Sequence, residues 1–176
     1  MMMKTGEAFE LGGVRVPWVA GLGMTQSFRV IGGFSTRRLM SGRALKQSHW
    51  EKLEVVIAAT GLSPAGLQGL DFSGPLVLKC GEPRAVRSQS TSIALPVGRR
   101  TGPGYEPVAR AYFADRREAF AAVSVAAHVA TITPVAGAIG YAVWYYPQLT
   151  VIASAPEETT DHQSGTVSWT LTAEEQ

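Results

Sequence analysis

The chain has 176 residues, 45% hydrophobic and 17% charged, with a formal net charge of +2. It is too apolar and too weakly charged to be disordered, and its 19 glycines and 10 prolines argue against a helical bundle. The single cysteine, Cys80, excludes an intrachain disulfide and a multi-cysteine metal site, and the small net charge gives no bulk case for nucleic acid.

The start, Met1-Met2-Met3-Lys4-Thr5-Gly6-Glu7, has no apolar core of the length a signal peptide needs, so cytosolic synthesis is expected. Val14, Val16 and Trp18 alternate with Arg15 and Pro17, which predicts an edge strand. A second strand is predicted over 26–31, with Phe28 and Val30 on one face and Gly32-Gly33 as its end. A basic stretch follows, with Arg37, Arg38, Arg43 and Lys46 and no acid between Glu10 and Glu51. Leu53, Val55 and Ile57 have period two and predict a third strand. The stretch 61–74 is rich in glycine and holds three leucines, the pattern of an Ω-type loop pinned by apolar anchors. Residues 75–80 read as a strand and 85–95 as a polar stretch with weak alternation. Pro and Gly mark 96–107 as a linker. Four strands are predicted over 108–114, 119–125, 128–133 and 140–146, with turns at 115–117 and 126–127. Pro147 closes that block. Two more strands are expected over 149–153 and 166–172, separated by a polar, acidic loop over 156–165. In the last strand Val167, Trp169 and Leu171 alternate with Ser168, Thr170 and Thr172.

Residues 119–156 contain no Asp, Glu, Lys or Arg, but His128, Thr131, Thr133, Pro134, Gly137 and Gly140 interrupt the run. Buried hairpin arms fit it better than a membrane-spanning helix. About ten short strands with frequent turns indicate an all-β sandwich or barrel. The expected organisation is an outer β domain (1–95 plus 147–176), a linker (96–107) and a small β domain or insertion (108–146).

Chemistry is sparse. Cys80 ends an apolar strand and reads as a small buried hydrophobe rather than a nucleophile. His49 reads as partly packed and His128 as structural. Asp161-His162 with Glu157 and Glu158 matches no metal-ligand frame and reads as a solvated acidic loop. No GxGxxG, P-loop, GxSxG or HExxH is present. The expectation is a chain without catalytic, cofactor-binding or metal-ligating residues. The basic cluster is the charge feature that stands out. It reads as a protein contact or a solvated loop, and the lack of aromatics between Arg37 and Lys46 disfavours single-stranded nucleic acid. Trp50, Trp144, Tyr145, Tyr146 and Trp169 could stack on a sugar, or form core or interface. Tyr145 and Tyr146 are adjacent, so on a strand one ring is expected to face outward as an interface anchor.

Three stretches carry a resemblance: Arg37-Arg38-Leu39-Met40-Ser41-Gly42 with Lys46-Gln47-Ser48-His49-Trp50-Glu51-Lys52, the loop from Gly61 to Leu76, and Trp169-Thr170-Leu171-Thr172-Ala173-Glu174-Glu175. In them the chain resembles minor structural and tail proteins of tailed-bacteriophage virions. The resemblance implies a non-enzymatic virion protein of the tail tip or baseplate, a ring-forming or adaptor subunit whose partners are other tail proteins and copies of itself. With the missing motifs and the interrupted 119–156 run, the expectation is no cofactor, no small-molecule substrate and no stable membrane insertion. The texture of 134–145, with Gly140-Tyr141-Ala142-Val143-Trp144-Tyr145, also resembles an immunoglobulin- or fibronectin-type module, although the block is short for seven strands. The interface expected is a meeting of Arg37, Arg38, Arg43 and Lys46 with Glu157, Glu158 and Asp161 of an adjacent subunit, with Trp50, Tyr145 and Tyr146 as aromatic anchors. The alternative reading is a host-surface or carbohydrate-binding β module using its Trp and Tyr faces. A small hydrolase is the third.

Overall fold

The computed structural model describes residues 7–176; the start that was read for a signal peptide lies outside them. The chain is all-β and sandwich-like, with one short 3-10 turn at Trp18–Ala20. In chain order the strands begin β1 (Glu7–Leu11), β2 (Val14–Pro17), β3 (Thr25–Arg38), β4 (Ala44–Gly61) and β5 (Leu76–Lys79). There follow β6 (Arg84–Ser88), β7 (Ser92–Ala94), β8 (Val108–Phe113), β9 (Glu118–Ala121) and β10 (Val123–Ala126). The last five are β11 (Val129–Ile132), β12 (Ala138–Tyr145), β13 (Gln148–Ala153), β14 (Glu157–Asp161) and β15 (Thr166–Glu175). No helix among the described residues is long and apolar enough to cross a membrane.

Two compact units divide the chain. One takes the residues up to Glu10 and Leu78–Leu149, the other Leu11–Val77 and Thr150–Gln176. This division differs from the one expected at 96–107. That segment lies inside the first unit, because β6 and β7, assigned above to the outer domain, pair with β12 and β11.

The first unit holds two antiparallel sheets, ordered β6-β12-β8-β9 and β10-β11-β7. Ile93, Ala130 and Ile132 of the smaller sheet pack in one cluster with Ala109, Ala111 and Val143 of the larger. Small alanines on β8 leave room for the rings of Tyr141 and Tyr145 on β12. Four strands and three is the count of a constant-type immunoglobulin sandwich. The order is its own: the first and third of the seven strands flank the last, where the immunoglobulin arrangement puts the third and sixth in its three-stranded sheet. The strand expected over 119–125 breaks at Ala122, and β9 and β10 belong to different sheets. His128, expected to open a strand, sits instead in the two-residue turn between β10 and β11. Both Ala127 (φ 45) and His128 (φ 65) are left-handed there, as a type I′ hairpin turn requires.

In the second unit β15 is central. Its one edge pairs with β4 from Glu54 to Gly61. Its other edge pairs in succession with β14 and with the end of β13. The alternation seen in the sequence is realised: Val167, Trp169, Leu171 and Ala173 are buried, while Ser168, Thr170 and Thr172 face out. Trp169 donates its indole N–H to the Ala20 carbonyl at 2.8 Å, which anchors the 3-10 turn. The expected loop over 156–165 is a correction: β14 pairs with Thr166–Thr170, and only the four residues after Asp161 turn. The loop after β4 has no strand from Leu62 to Pro75, as expected. Leu67 is its fully buried anchor, whereas Leu62 is exposed.

The largest difference concerns the basic stretch. Gly32-Gly33 does not end a strand, since β3 runs on to Arg38 and pairs with β4 to the tip. The glycines are there because Trp50 crosses them. A β-carbon on Gly32 would lie 2.4 Å from the Trp50 carbonyl oxygen, and one on Gly33 2.6 Å from its indole nitrogen. The register shifts at this point, between Gly33 and Phe34.

Candidate protein interface

The β3–β4 hairpin outruns the sheet that supports it. Support from β15 stops at the Glu174–Glu54 pair, with two tethers just beyond. The Leu53 amide donates to the Glu175 carboxylate at 3.0 Å, and Lys52 Nζ donates to the Gln176 carbonyl at 2.5 Å. From there to the tip the hairpin is a two-stranded ribbon of about eight residue pairs, some 25 Å long at ~3.3 Å per residue. From Phe34 to Glu51 every residue is exposed, while Ile31, Gly32, Gly33 and Lys52 at its base are half-buried. The tip is a short loop in which Gly42 is left-handed (φ 79) and the Leu39 amide donates to the Arg43 carbonyl at 2.9 Å.

Strand alternation distributes the ribbon's side chains over both faces. Phe34, Arg38 and Lys46 share one face, with Lys46 Nζ 4.8 Å from the Phe34 ring centre. Trp50, Arg37 and Leu45 share the other. Phe34 is 59% exposed and Trp50 52%, and Leu39, Met40 and Leu45 are also open to solvent. Arg38 donates to the Gly42 carbonyl at 3.1 Å. Arg37 and Arg43 make no side-chain hydrogen bond or ion pair among the described residues. The residues 36–46 thus carry four cations, no carboxylate and several bare apolar groups.

The opposite end of the same unit carries the acids. On the outer face of the sheet, Thr25, Ala58, Thr170 and Glu157 lie in one row across β3, β4, β15 and β14. Thr60, Ser168 and Thr159 form the next row, with the Thr60 and Ser168 hydroxyls 3.0 Å apart. Together they line a shallow trough of about 360 Å³. Asp161 continues the Glu157 face of β14. Its carboxylate accepts from the Gln163 amide at 2.9 Å and the Ser164 hydroxyl at 2.7 Å. These bonds hold its carboxyl below the ordinary aspartate value, the Ser164 hydroxyl contributing most.

The structure therefore brings Arg37, Arg38, Arg43, Lys46 and Trp50 together on the arm, and Glu157 and Asp161 together on the outer face. It separates the rest. Glu158 pairs with Trp169 and points to the inner side of the sheet, where its Oε1 is buried without a hydrogen-bond partner among the described residues. Tyr145 lies in the core of the first unit, 5% exposed. Tyr146 is half-buried, edge-on to Tyr105 with ring centres 5.1 Å apart. Burial pushes both phenols above their ordinary value. Neither ring is the outward anchor that adjacency alone predicts, because the chain around Pro147 is itself covered. Phe34, Leu39, Met40 and Leu45, and the hydroxyl rows, were not singled out from the sequence. The signal for the hydroxyls was the Ser168, Thr170, Thr172 alternation.

The aromatic face of the first unit is occupied by its own cations. Arg110 lies 4.9 Å from the Phe120 ring and 5.3 Å from Trp144, while pairing with Glu118 at 2.9 Å. Arg87 lies 5.0 Å from Tyr112, and Arg117, ion-paired with Asp115, lies 5.1 Å from Phe113. Cys80 is fully buried. His128 Nδ1 is 2.8 Å from Arg99 Nη1, so it accepts, since a guanidinium only donates. Among the described residues no three His, Cys, Asp or Glu side chains are placed to hold a metal ion. No protein-family model, curated protein or solved structure matches the chain.

Proposed function

We propose that the chain is a non-enzymatic structural subunit of a bacteriophage virion, a ring-forming or adaptor component of the tail that works by binding copies of itself and neighbouring tail proteins. One observation carries the self-associating part of this reading: the projecting β3–β4 ribbon exposes apolar and cationic side chains on both faces. An isolated two-stranded ribbon is marginal in water, and open strand edges invite pairing. A soluble chain that carries such an arm covers it in the assembled state. The placement in a phage tail rests on the sequence resemblance in the arm, the 61–76 loop and β15. The carbohydrate-binding alternative has weaker support, because Tyr145 and Trp169 are in the cores and guanidinium groups lie against Trp144, Tyr112 and Phe120.

The test is the solution mass of the full chain by light scattering over a concentration series, with electron microscopy of the largest species. A closed multimer or growing assembly with a central channel is expected. A strict monomer at every concentration overturns the self-associating reading, and glycan-array binding by that monomer would establish the alternative.

A further inference from the structure

The arm needs a surface that offers negative charge and hydroxyl acceptors, and one such surface is present on the chain itself. Arg37 is twelve residues from Thr25 along the single continuous strand β3, a separation of about 40 Å at ~3.3 Å per residue. The arm of one molecule therefore cannot lie in its own trough without breaking the β3–β4 ladder. A second copy meets no such constraint.

We propose that the arm of one copy docks on the outer β14–β15–β4 face of a second copy, the cationic tip that carries Arg37, Arg38, Arg43 and Lys46 being presented to Glu157 and Asp161 at the hydroxyl-lined trough. This rests on the self-associating reading above and names its partner surface. Charge complementarity selects the occupant. The arm segment 36–46 carries four cations and no acid. The receiving face carries Glu157 and Asp161 at the trough, and Glu54 and Glu174 directly opposite each other further along. The cations Arg29 and Lys52 beside Glu54 are both engaged, Arg29 with Glu54 at 2.7 Å and Lys52 with the Gln176 backbone oxygen. The Glu157 carboxylate has no ion pair or hydrogen bond among the described residues. Asp161 spends two acceptor sites on its own turn and keeps others, since a carboxylate offers about four. Thr25, Thr60, Thr159, Ser168 and Thr170 supply hydroxyl oxygens for guanidinium donors. The trough has room for a side chain or two, so it receives side chains from the ribbon rather than the ribbon whole. The outer edge of β14 pairs with no other described strand and lies alongside, open to a neighbour. Arm and trough are different patches, so the contact is heterologous and propagates head to tail. It closes to a ring if the rotation allows.

The experiment uses charge reversal on the full chain. R37E/R38E/R43E reverses the sign of the arm, leaving Lys46 as its one cation, and E157K/T159K reverses the trough at two exposed strand positions, leaving the Asp161 turn intact. Thermal melts by circular dichroism check that each variant folds. Each variant alone is expected to associate at least tenfold more weakly than the parent. An equimolar mixture is expected to co-assemble to the parent's mass, because the reversed arm then fits the reversed trough and the native arm the native one. Two results overturn the proposal while leaving self-association standing: trough-reversed protein that assembles like the parent, or a mixture that fails to recover. A parent that is monomeric at every concentration overturns the self-associating reading, and this proposal with it.

Discussion

Three exposed aspartates set the geometry of the turns around them. Asp71 accepts from the Ser73 amide at 2.9 Å, Asp115 from the Arg117 side chain and amide, and Asp161 from Ser164 and Gln163. In each case the hydrogen bonds favour the charged form and lower the carboxyl below its ordinary value, with a side-chain bond as the largest cause. A lowered folded-state pKa means that the folded protein holds its proton less tightly than the unfolded chain. The resulting stabilisation is complete above the unfolded value and is lost as pH falls through the folded one. Stability should therefore decline as pH falls from the ordinary aspartate range, below about 4. In a carboxyl NMR titration all three should have midpoints below that range. A midpoint at the ordinary value for Asp161 would show that its turn is not held by the carboxylate. Which aspartates do this is partly legible in the sequence: Asp115 falls in the turn expected at 115–117, whereas Asp161 falls in the stretch expected as an acidic loop. The Asp161 turn closes the β14–β15 hairpin, and the pairing of these two strands is not written in the local spacing.

At the scale of the element, β4 shows how one strand serves two roles. Its inner half puts Val55, Ile57 and Ala59 into the core at period two. It ends at Gly61, where the backbone of the 3-10 turn presses in. A β-carbon on Gly61 would lie 2.4 Å from the Val19 carbonyl oxygen and 2.6 Å from that of Ala20. Both contacts are to backbone, so neither neighbour can swing aside. Gly61→Ala should destabilise the fold by about 1–3 kcal/mol, as overpacking of a close approach does. It should also disturb the Trp169–Ala20 bond, visible as a change in indole fluorescence. An unchanged melting midpoint would mean that the turn can move away freely. The outer half of β4 forms the arm together with that of β3. Its strand character was missed because Arg37, Arg38, Arg43 and Lys46 show no apolar alternation, and because two glycines ordinarily weaken a strand. Here the glycines make room for Trp50, a cross-strand contact that only the register reveals.

For the whole molecule, the net charge of +2 conceals local separation of charge. The arm tip is wholly cationic, whereas Glu157 and Asp161 stand on the outer face at the far end of the same sheet. Association driven by such a contact is screened by salt, with a Debye length of about 10 Å at 0.1 M and ~3 Å at 1 M. The proposed assembly should dissociate as salt is raised, and the mass at fixed protein concentration should fall. Mass that rises with salt would mean that the apolar groups Phe34, Leu45 and Trp50 dominate the contact, since salting-out strengthens burial.

The sequence by itself determined the strand-rich class, the inward faces of β4 and β15, the anchored loop before β5 and the absence of familiar catalytic motifs. These follow from composition and from periods of two and of turn residues, which are local quantities. Only the tertiary structure decided that 84–94 completes a seven-stranded sandwich with 108–145, that 119–126 turns a corner between sheets, and that 25–61 is one long hairpin. It also decided that Tyr145 is core, that Glu158 faces away from Glu157, and that the four cations stand on an unsupported ribbon. The physical reason is the same in each case. A side chain's face and exposure depend on which strand lies beside its own, and that neighbour is chosen by packing between residues tens of positions apart.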